Sequence, residues 1–141
     1  MKLFWLLRLG VIALSAVIGT GMALADPRGL WLAQDGASVR VSACGKGICG
    51  ALASTKSPAD PATGEPWTDK HNPDPEKRGR QLVGVAVFVM TPDGPEKWSG
   101  TLYNTENGQT YPGHVIEIDG NTIRVEGCAG ICGGQTMRRI E

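Results

Sequence analysis

Aromatic side chains are scarce in this chain: two Phe, two Tyr and four Trp in 141 residues. Histidine is scarcer, with only His71 and His114. Basic and acidic residues balance at 14 each, so the electrostatic footprint of a nucleic-acid binder is missing. No basic amphipathic stretch offers a membrane-surface helix. No segment beyond residue 25 carries convincing helical periodicity, which argues against bundles and βαβ folds alike. No cysteine pair is spaced C-x-x-C, so the simplest redox and zinc signatures are absent. No serine stands in a G-x-S-x-G elbow; Ser99, before Gly100, reads as a strand residue. Glu65, Asp93 and Glu106 fall in turns, where carboxylates are normally solvated. No nucleophile–base pair is visible, and no catalytic residue, cofactor or metal is assigned.

What is present begins with an apolar leader. Lys2 and Arg8 bracket a basic start, residues 9–18 are almost wholly apolar, and Ala23-Leu24-Ala25 forms an A-x-A pattern before Asp26-Pro27. These are the three regions of a secretory signal, expected to be removed after residue 25. A stable membrane span needs about 20 apolar residues, and Gly19, Thr20 and Gly21 dilute this run too early. No cysteine at the cleavage site could accept a lipid, and the leader has no twin-arginine pair. The expectation is a periplasmic or secreted protein with no stable membrane insertion once residues 1–25 are cleaved. The leader holds two basic residues and no acid, so residues 26–141 are slightly acidic and suit one domain with a modest core.

Short apolar runs separated by glycine-bearing turns give eight expected strands: 29–34, 38–43, 48–54, 81–90, 97–103, 110–118, 122–126 and 134–140. Asp35-Gly36, Asp93-Gly94, Asn107-Gly108 and Asp119-Gly120 supply hairpin chemistry, because Asn and Gly tolerate the positive φ of tight turns. The second run alternates cleanly, Val39, Val41 and Ala43 against Ser38, Arg40 and Ser42. Strands at this spacing predict an all-β fold, a sandwich or a small antiparallel barrel. A short helix is possible within residues 74–79, where Glu76, Lys77 and Arg78 are good helix formers.

Residues 55–80 form a long polar loop with Pro58, Pro61, Pro66, Pro73 and Pro75. Loops this long are often functional. Within it Asp69, Asn72 and Asp74 precede Arg78 and Arg80. That cluster has three readings: a self-contained turn with an internal ion pair, a two-arginine site for a carboxylate or phosphate, and an oxygen-ligand calcium loop.

Four thiols allow three pairings. Cys44 and Cys49 flank one turn and Cys128 and Cys132 another, so two local disulfides are expected in an oxidising compartment. Bridges closing such small loops contribute only about 2 kcal/mol each in the chain-entropy picture. A redox pair, or a metal site of thiolates with His71 and His114, are the alternatives.

Gly29-Leu30-Trp31 with Arg139 near the last strand's end resembles the lipocalin or calycin signature, in which a first-strand Trp packs beneath a last-strand Arg. Cation–π attraction and the guanidinium's donors give that arrangement its physics. A broader resemblance, spanning nearly all of residues 26–141, is to the domain-of-unknown-function 2147 family of exported bacterial proteins. It rests on Gly29-x-Trp31, Cys44-Gly, Cys49-Gly50, Asp69-Lys-His-Asn72-Pro73-Asp74-Pro75, Arg78-x-Arg80 and Leu82-x-Gly84. It continues through Trp98-Ser-Gly100, Tyr103-Asn104, Gly108-x-Thr110-Tyr111-x-Gly113 and Gln135-Thr136-Met137-Arg138-Arg139. Met137 stands where the resemblance leads one to expect Trp. The resemblance implies a small up-and-down β-barrel of about eight strands in the cell envelope, and no catalytic activity.

The resulting expectation is a non-enzymatic barrel, closed by Gly29, Trp31 and Arg139, that binds a small apolar or amphipathic ligand. Its expected lining is Trp31, Val39, Val41, Val85, Val87, Val89, Trp98, Leu102, Ile116, Ile118, Ile123 and Val125. Trp31, Val41, Val87, Trp98, Leu102 and Ile116 are the leading binding candidates. The alternative is a cell-envelope protein–protein interaction module with a filled barrel and the 55–80 loop as its contact surface.

Overall fold

A computed structural model describes residues 25–141, together with residues 16, 18 and 19. The rest of the expected leader lies outside the described residues. Eight antiparallel strands run in chain order: β1 (Gly29–Leu32), β2 (Ser38–Cys44), β3 (Gly47–Ser54), β4 (Ala86–Pro92), β5 (Lys97–Asn104), β6 (Gln109–Asp119), β7 (Thr122–Ala129) and β8 (Ile131–Arg139). Each strand pairs with the next, and β1 returns to β8, so the sheet is a closed up-and-down barrel. Closure leaves no open edge to recruit another strand.

The closing seam is short, with Trp31 opposite Arg139 and Leu32 opposite Arg138. Side-chain contacts reinforce it. Trp31 is fully buried, its indole Nε1 donates to the Pro27 carbonyl at 2.7 Å, and the Arg139 guanidinium lies 4.3 Å from the ring centroid. Arg139 also donates to the carbonyls of Gly120 at 2.7 Å and Asp26 at 2.8 Å, and to that of Arg28. One guanidinium thereby joins the N-terminal approach, the β6–β7 turn and the last strand. Gly29 has φ +138°, and a Cβ there would collide with the Glu141 carbonyl and the Arg139 guanidinium. Only glycine lets the chain pass that close.

Alternation places Val39, Val41, Ile48, Met90, Trp98, Val115, Ile123, Val125 and Met137 in a single buried cluster with Trp31 and Phe88. Met137, at the position where Trp was expected, is part of this core. Two expected parities are corrected. The register of β3 against β4 shifts between Gly50 and Ala51, so that Gly50 faces Phe88 and Ala51 faces Ala86. Val87 is the extra residue of this β-bulge, which resets the alternation. Phe88 and Met90 therefore point inward, and Val89 is half exposed on the outer wall.

On β6 the inner face carries Val115, opposed by Trp98 and Val125. Ile116 consequently lies on the outer face, between Lys97 and Arg124, and Ile118 is exposed. Two isoleucines outweigh one valine in the sequence, but the neighbouring strands fix the face. Strand lengths differ too. β4 begins at Ala86, because Leu82–Val85 form a turn in which the Val85 N–H donates to Leu82 O and Gly84 has φ +93°. β7 and β8 extend to the Cys128–Cys132 tip. The expected short helix is a 3-10 turn, Pro75–Lys77, capped by Asp74.

The parity of β6 also turns Glu117 inward, opposite Ile123. Its Oε2 is buried and finds no hydrogen-bond partner among the described residues, and burial pushes its carboxyl above the usual range. An acid raised in this way subtracts stability above its folded pKa and stops doing so once protonated.

Two outcomes follow from the closed end. Trp31→Ala should destabilise the barrel by about 3–5 kcal/mol in a urea titration, the loss typical of a buried aromatic. Glu117→Gln should raise the thermal midpoint at neutral pH, with the gain over wild type shrinking as the solution is acidified.

Candidate functional site

The two ends of the barrel differ. At the Trp31 end the interior is filled by Trp31, Val41, Met90, Trp98 and Ile123, all buried. At the other end a cavity of about 560 Å³ enters the barrel. Its apolar wall comes from Val39, Leu52, Phe88, Leu102, Val125 and Met137, and its rim carries Asp35, Glu106, Tyr111 and Gln135. The volume lies in the range of small-molecule sites, and so does the pairing of apolar wall with sparse polar rim.

The 55–80 loop stands over this open end. Beneath it is a second cavity of about 330 Å³, lined by Lys56, Trp67, Lys70, His71 and Leu82. Both cavities share Asp35, Ala37, Leu52, Thr105 and Glu106, so they adjoin across the rim. Two lysine ammoniums flank the Trp67 ring, Lys56 at 4.9 Å and Lys70 at 5.6 Å from its centroid, while its Nε1 donates to Ser57 Oγ at 3.1 Å. Lys70 also pairs with Asp60 at 2.9 Å.

Asp69 organises the loop. Its side chain is fully buried and accepts from the Tyr103 hydroxyl at 2.6 Å, Asn72 Nδ2 at 2.8 Å and Arg80 Nε at 3.0 Å. Burial alone would raise this carboxyl; the bonds from Tyr103, Asn72 and Arg80 outweigh it and hold Asp69 below its ordinary value. Burial, and then the bond to Asp69, pushes the Tyr103 hydroxyl up to about 12. Because Tyr103 belongs to β5, this contact fastens loop to barrel. Gly108 makes a second attachment: the β5–β6 turn meets His71 O so closely that a Cβ would collide with it.

The structure brings Asp69, Asn72 and Arg80 together in this network. Asp74 instead caps the 3-10 turn, accepting from Glu76 N at 3.0 Å. Arg78 Nε donates to Asn72 O at 2.8 Å. Both guanidiniums are therefore turned onto groups of the loop itself, the geometry of a self-contained turn.

Of the leading binding candidates, Val87 and Leu102 line the larger cavity. Trp31, Val41 and Trp98 lie below it in the packed core, and Ile116 is outside the barrel. Val39 and Val125, from the wider expected lining, also face the cavity. Sequence reasoning missed Leu52, Phe88 and Met137. Phe88 was hidden by the bulge. Leu52 and Met137 follow from strand alternation, since they oppose the inward-facing Val39 and Ile123.

The cysteines form two bridges, Cys44–Cys49 and Cys128–Cys132, one at each end of the barrel. Cys128 and Cys132 face each other directly in the ladder. Cys44 and Cys49 bridge diagonally, since Cys44 opposes Gly47 and Cys49 opposes Ser42.

The two histidines lie far apart. His71 lines the smaller cavity, whereas His114 sits on the outer wall, its Nε2 2.6 Å from Glu126 Oε2. His114 thus has a carboxylate partner, but it lines neither cavity.

Residues 29–139 match a protein family described as uncharacterized proteins conserved in bacteria, domain of unknown function 2147. The chain belongs to this family. The match spans all eight strands and the loop. No curated protein matches the chain. A solved structure, the protein HP1028 from the human pathogen Helicobacter pylori, described as belonging to the lipocalin family, shares the fold with a TM-score of 0.69. The two are 19% identical, over 82% of this chain and 84% of that one. For this member of the 2147 family, the likeness establishes a lipocalin-like barrel.

The Asp69 network yields a pH-dependent outcome. A carboxylate with a depressed folded pKa stabilises fully above its unfolded value, about 3.9, and loses that contribution as pH falls through the folded one. Asp69→Asn should lower stability at neutral pH by about 1–3 kcal/mol. It should also flatten the acid-side fall of the urea midpoint below about pH 5.

Proposed function

We propose that this protein is exported to the periplasm or secreted, and that its barrel binds one small apolar or amphipathic molecule without catalysing a reaction. The observation that carries the reading is the cavity of about 560 Å³ with Val39, Leu52, Phe88, Leu102, Val125 and Met137 on its wall. Burial of a guest's apolar surface there would stabilise a complex at roughly 25 cal/mol per Å² before ordering costs. The polar rim suits a guest with one hydrophilic end. The lipocalin-like fold supports a binding role. Export is supported by the leader pattern in residues 1–25 and by two disulfides, which persist in oxidising compartments.

A neutral fluorescent probe, N-phenyl-1-naphthylamine, tests the binding role. The folded protein should enhance its emission saturably, and Leu102→Trp, which fills the cavity, should weaken binding at least about tenfold, or about 1.4 kcal/mol. Ile116→Ala, on the outer wall, should leave binding unchanged. Absence of enhancement, or equal binding by Leu102→Trp, would defeat the reading. Native mass spectrometry of protein isolated from the producing cell's envelope should show a co-purifying small molecule and a chain beginning at Asp26.

A further inference from the structure

We infer that the Cys128–Cys132 bridge, when reduced, opens into a site for a thiophilic divalent cation, with zinc as its physiological match, held by both thiolates and His114. This goes beyond the ligand-binding role and does not depend on it.

One imidazole nitrogen of His114 and the two cysteine sulfurs lie within 4.8 Å of one another. The backbone explains why they converge. His114 on β6 opposes Glu126 on β7, and Cys128 follows Glu126 by two residues on the same face. Cys132 then faces Cys128 directly across the β7–β8 pair, with Gly127↔Gly133 and Ala129↔Ile131 on either side. The ladder, not the S–S bond alone, keeps the sulfurs together. Opening the bond therefore leaves both thiols beside the imidazole without rearranging the barrel. Cys132 is exposed, so a reductant can reach it.

The donor set fits zinc. Two thiolates and a neutral imidazole match its preference for sulfur and nitrogen, at bonds of about 2.3 and about 2.0 Å. The two thiolate charges balance the cation. Glu126, with one oxygen on His114 Nε2 and the other accepting from Arg124 Nε, is placed in one of two roles. It orients the imidazole as an outer carboxylate, leaving Nδ1 to bind, or it swings in as the fourth ligand. The Cys44–Cys49 bridge at the opposite end of the barrel is not part of this cluster, which makes the two cysteine pairs chemically unequal.

The chemistry balances. A dithiol reductant delivers two electrons and two protons to the S–S bond and itself closes to a disulfide, leaving two thiols on the protein. Cation binding then releases those two protons to solvent as the thiolates take up the metal.

The test uses the full chain, as wild type and as the double variant Cys44→Ser/Cys49→Ser, reduced with a phosphine that becomes its oxide by taking oxygen from water. Titration with Co²⁺ should give thiolate-to-cobalt absorption saturating near one equivalent, reversed by Zn²⁺. The oxidised protein should give none, nor should reduced Cys128→Ser/Cys132→Ser. His114→Ala should weaken zinc binding at least about tenfold. Circular dichroism on each sample checks that the barrel persists. Should Cys44→Ser/Cys49→Ser fail to fold, the difference between reduced wild type and reduced Cys128→Ser/Cys132→Ser carries the same information. Reduced wild type without thiolate–cobalt absorption would overturn the inference, as would zinc affinity unchanged by His114→Ala.

Discussion

The guanidinium of Arg139 stacked on the Trp31 indole, with its donors on three backbone carbonyls, reinforces a short seam in which two residue pairs face each other and Leu30 shares backbone hydrogen bonds with Ile140 and Glu141. A barrel depends on its last pairing in a way an open sheet does not. Without the β1–β8 join, the interior of every other strand would be open to water along one side. Here a cation on a flat apolar surface adds to the backbone bonds of that join. Gly29 belongs to the same device, because its missing side chain lets the two chain ends cross.

From that end the molecule becomes progressively less filled. Trp31, Met90 and Trp98 occupy the lower barrel, and the upper barrel is hollow. The polar groups divide in parallel. Glu117, low in the barrel, lacks a buried partner for one oxygen, whereas Asp69 in the loop is fully served by Tyr103, Asn72 and Arg80. The loop is thus an ordered roof with its own polar core, fastened to β5 and to the β5–β6 turn.

Much of the architecture was legible in the sequence, for physical reasons. Asp-Gly and Asn-Gly mark the β1–β2, β4–β5 and β5–β6 turns because Gly36, Gly94 and Gly108 take a positive φ there, while the Asp or Asn before each does not, and G-x-W with a late Arg marks closure because the two groups must meet. Hidden were features set by neighbours and not by the strand itself. The bulge at Val87, opposite Gly50 and Ala51, inverted β4 from Phe88 onward, which no alternation within residues 81–90 reveals. Ile116 and Ile118 sit outside because Trp98 and Val125 claim Val115. The loop cluster was visible as Asp69, Asn72, Asp74, Arg78 and Arg80, but its anchor, Tyr103, lies 34 residues from Asp69 and on a strand. The approach of His114 to Cys128 and Cys132 depends on ladder register across three strands, which residue spacing cannot supply.

The two adjoining cavities have different makers. Rigid strands shape the inner one, and a loop fastened by one buried carboxylate shapes the outer one. For a guest lodged in the inner chamber, the strands would govern how favourably it sits and the roof how quickly it arrives and departs. Affinity and residence time could then be adjusted separately by sequence change, the first through wall residues such as Leu102, the second through the fastening between Asp69 and Tyr103.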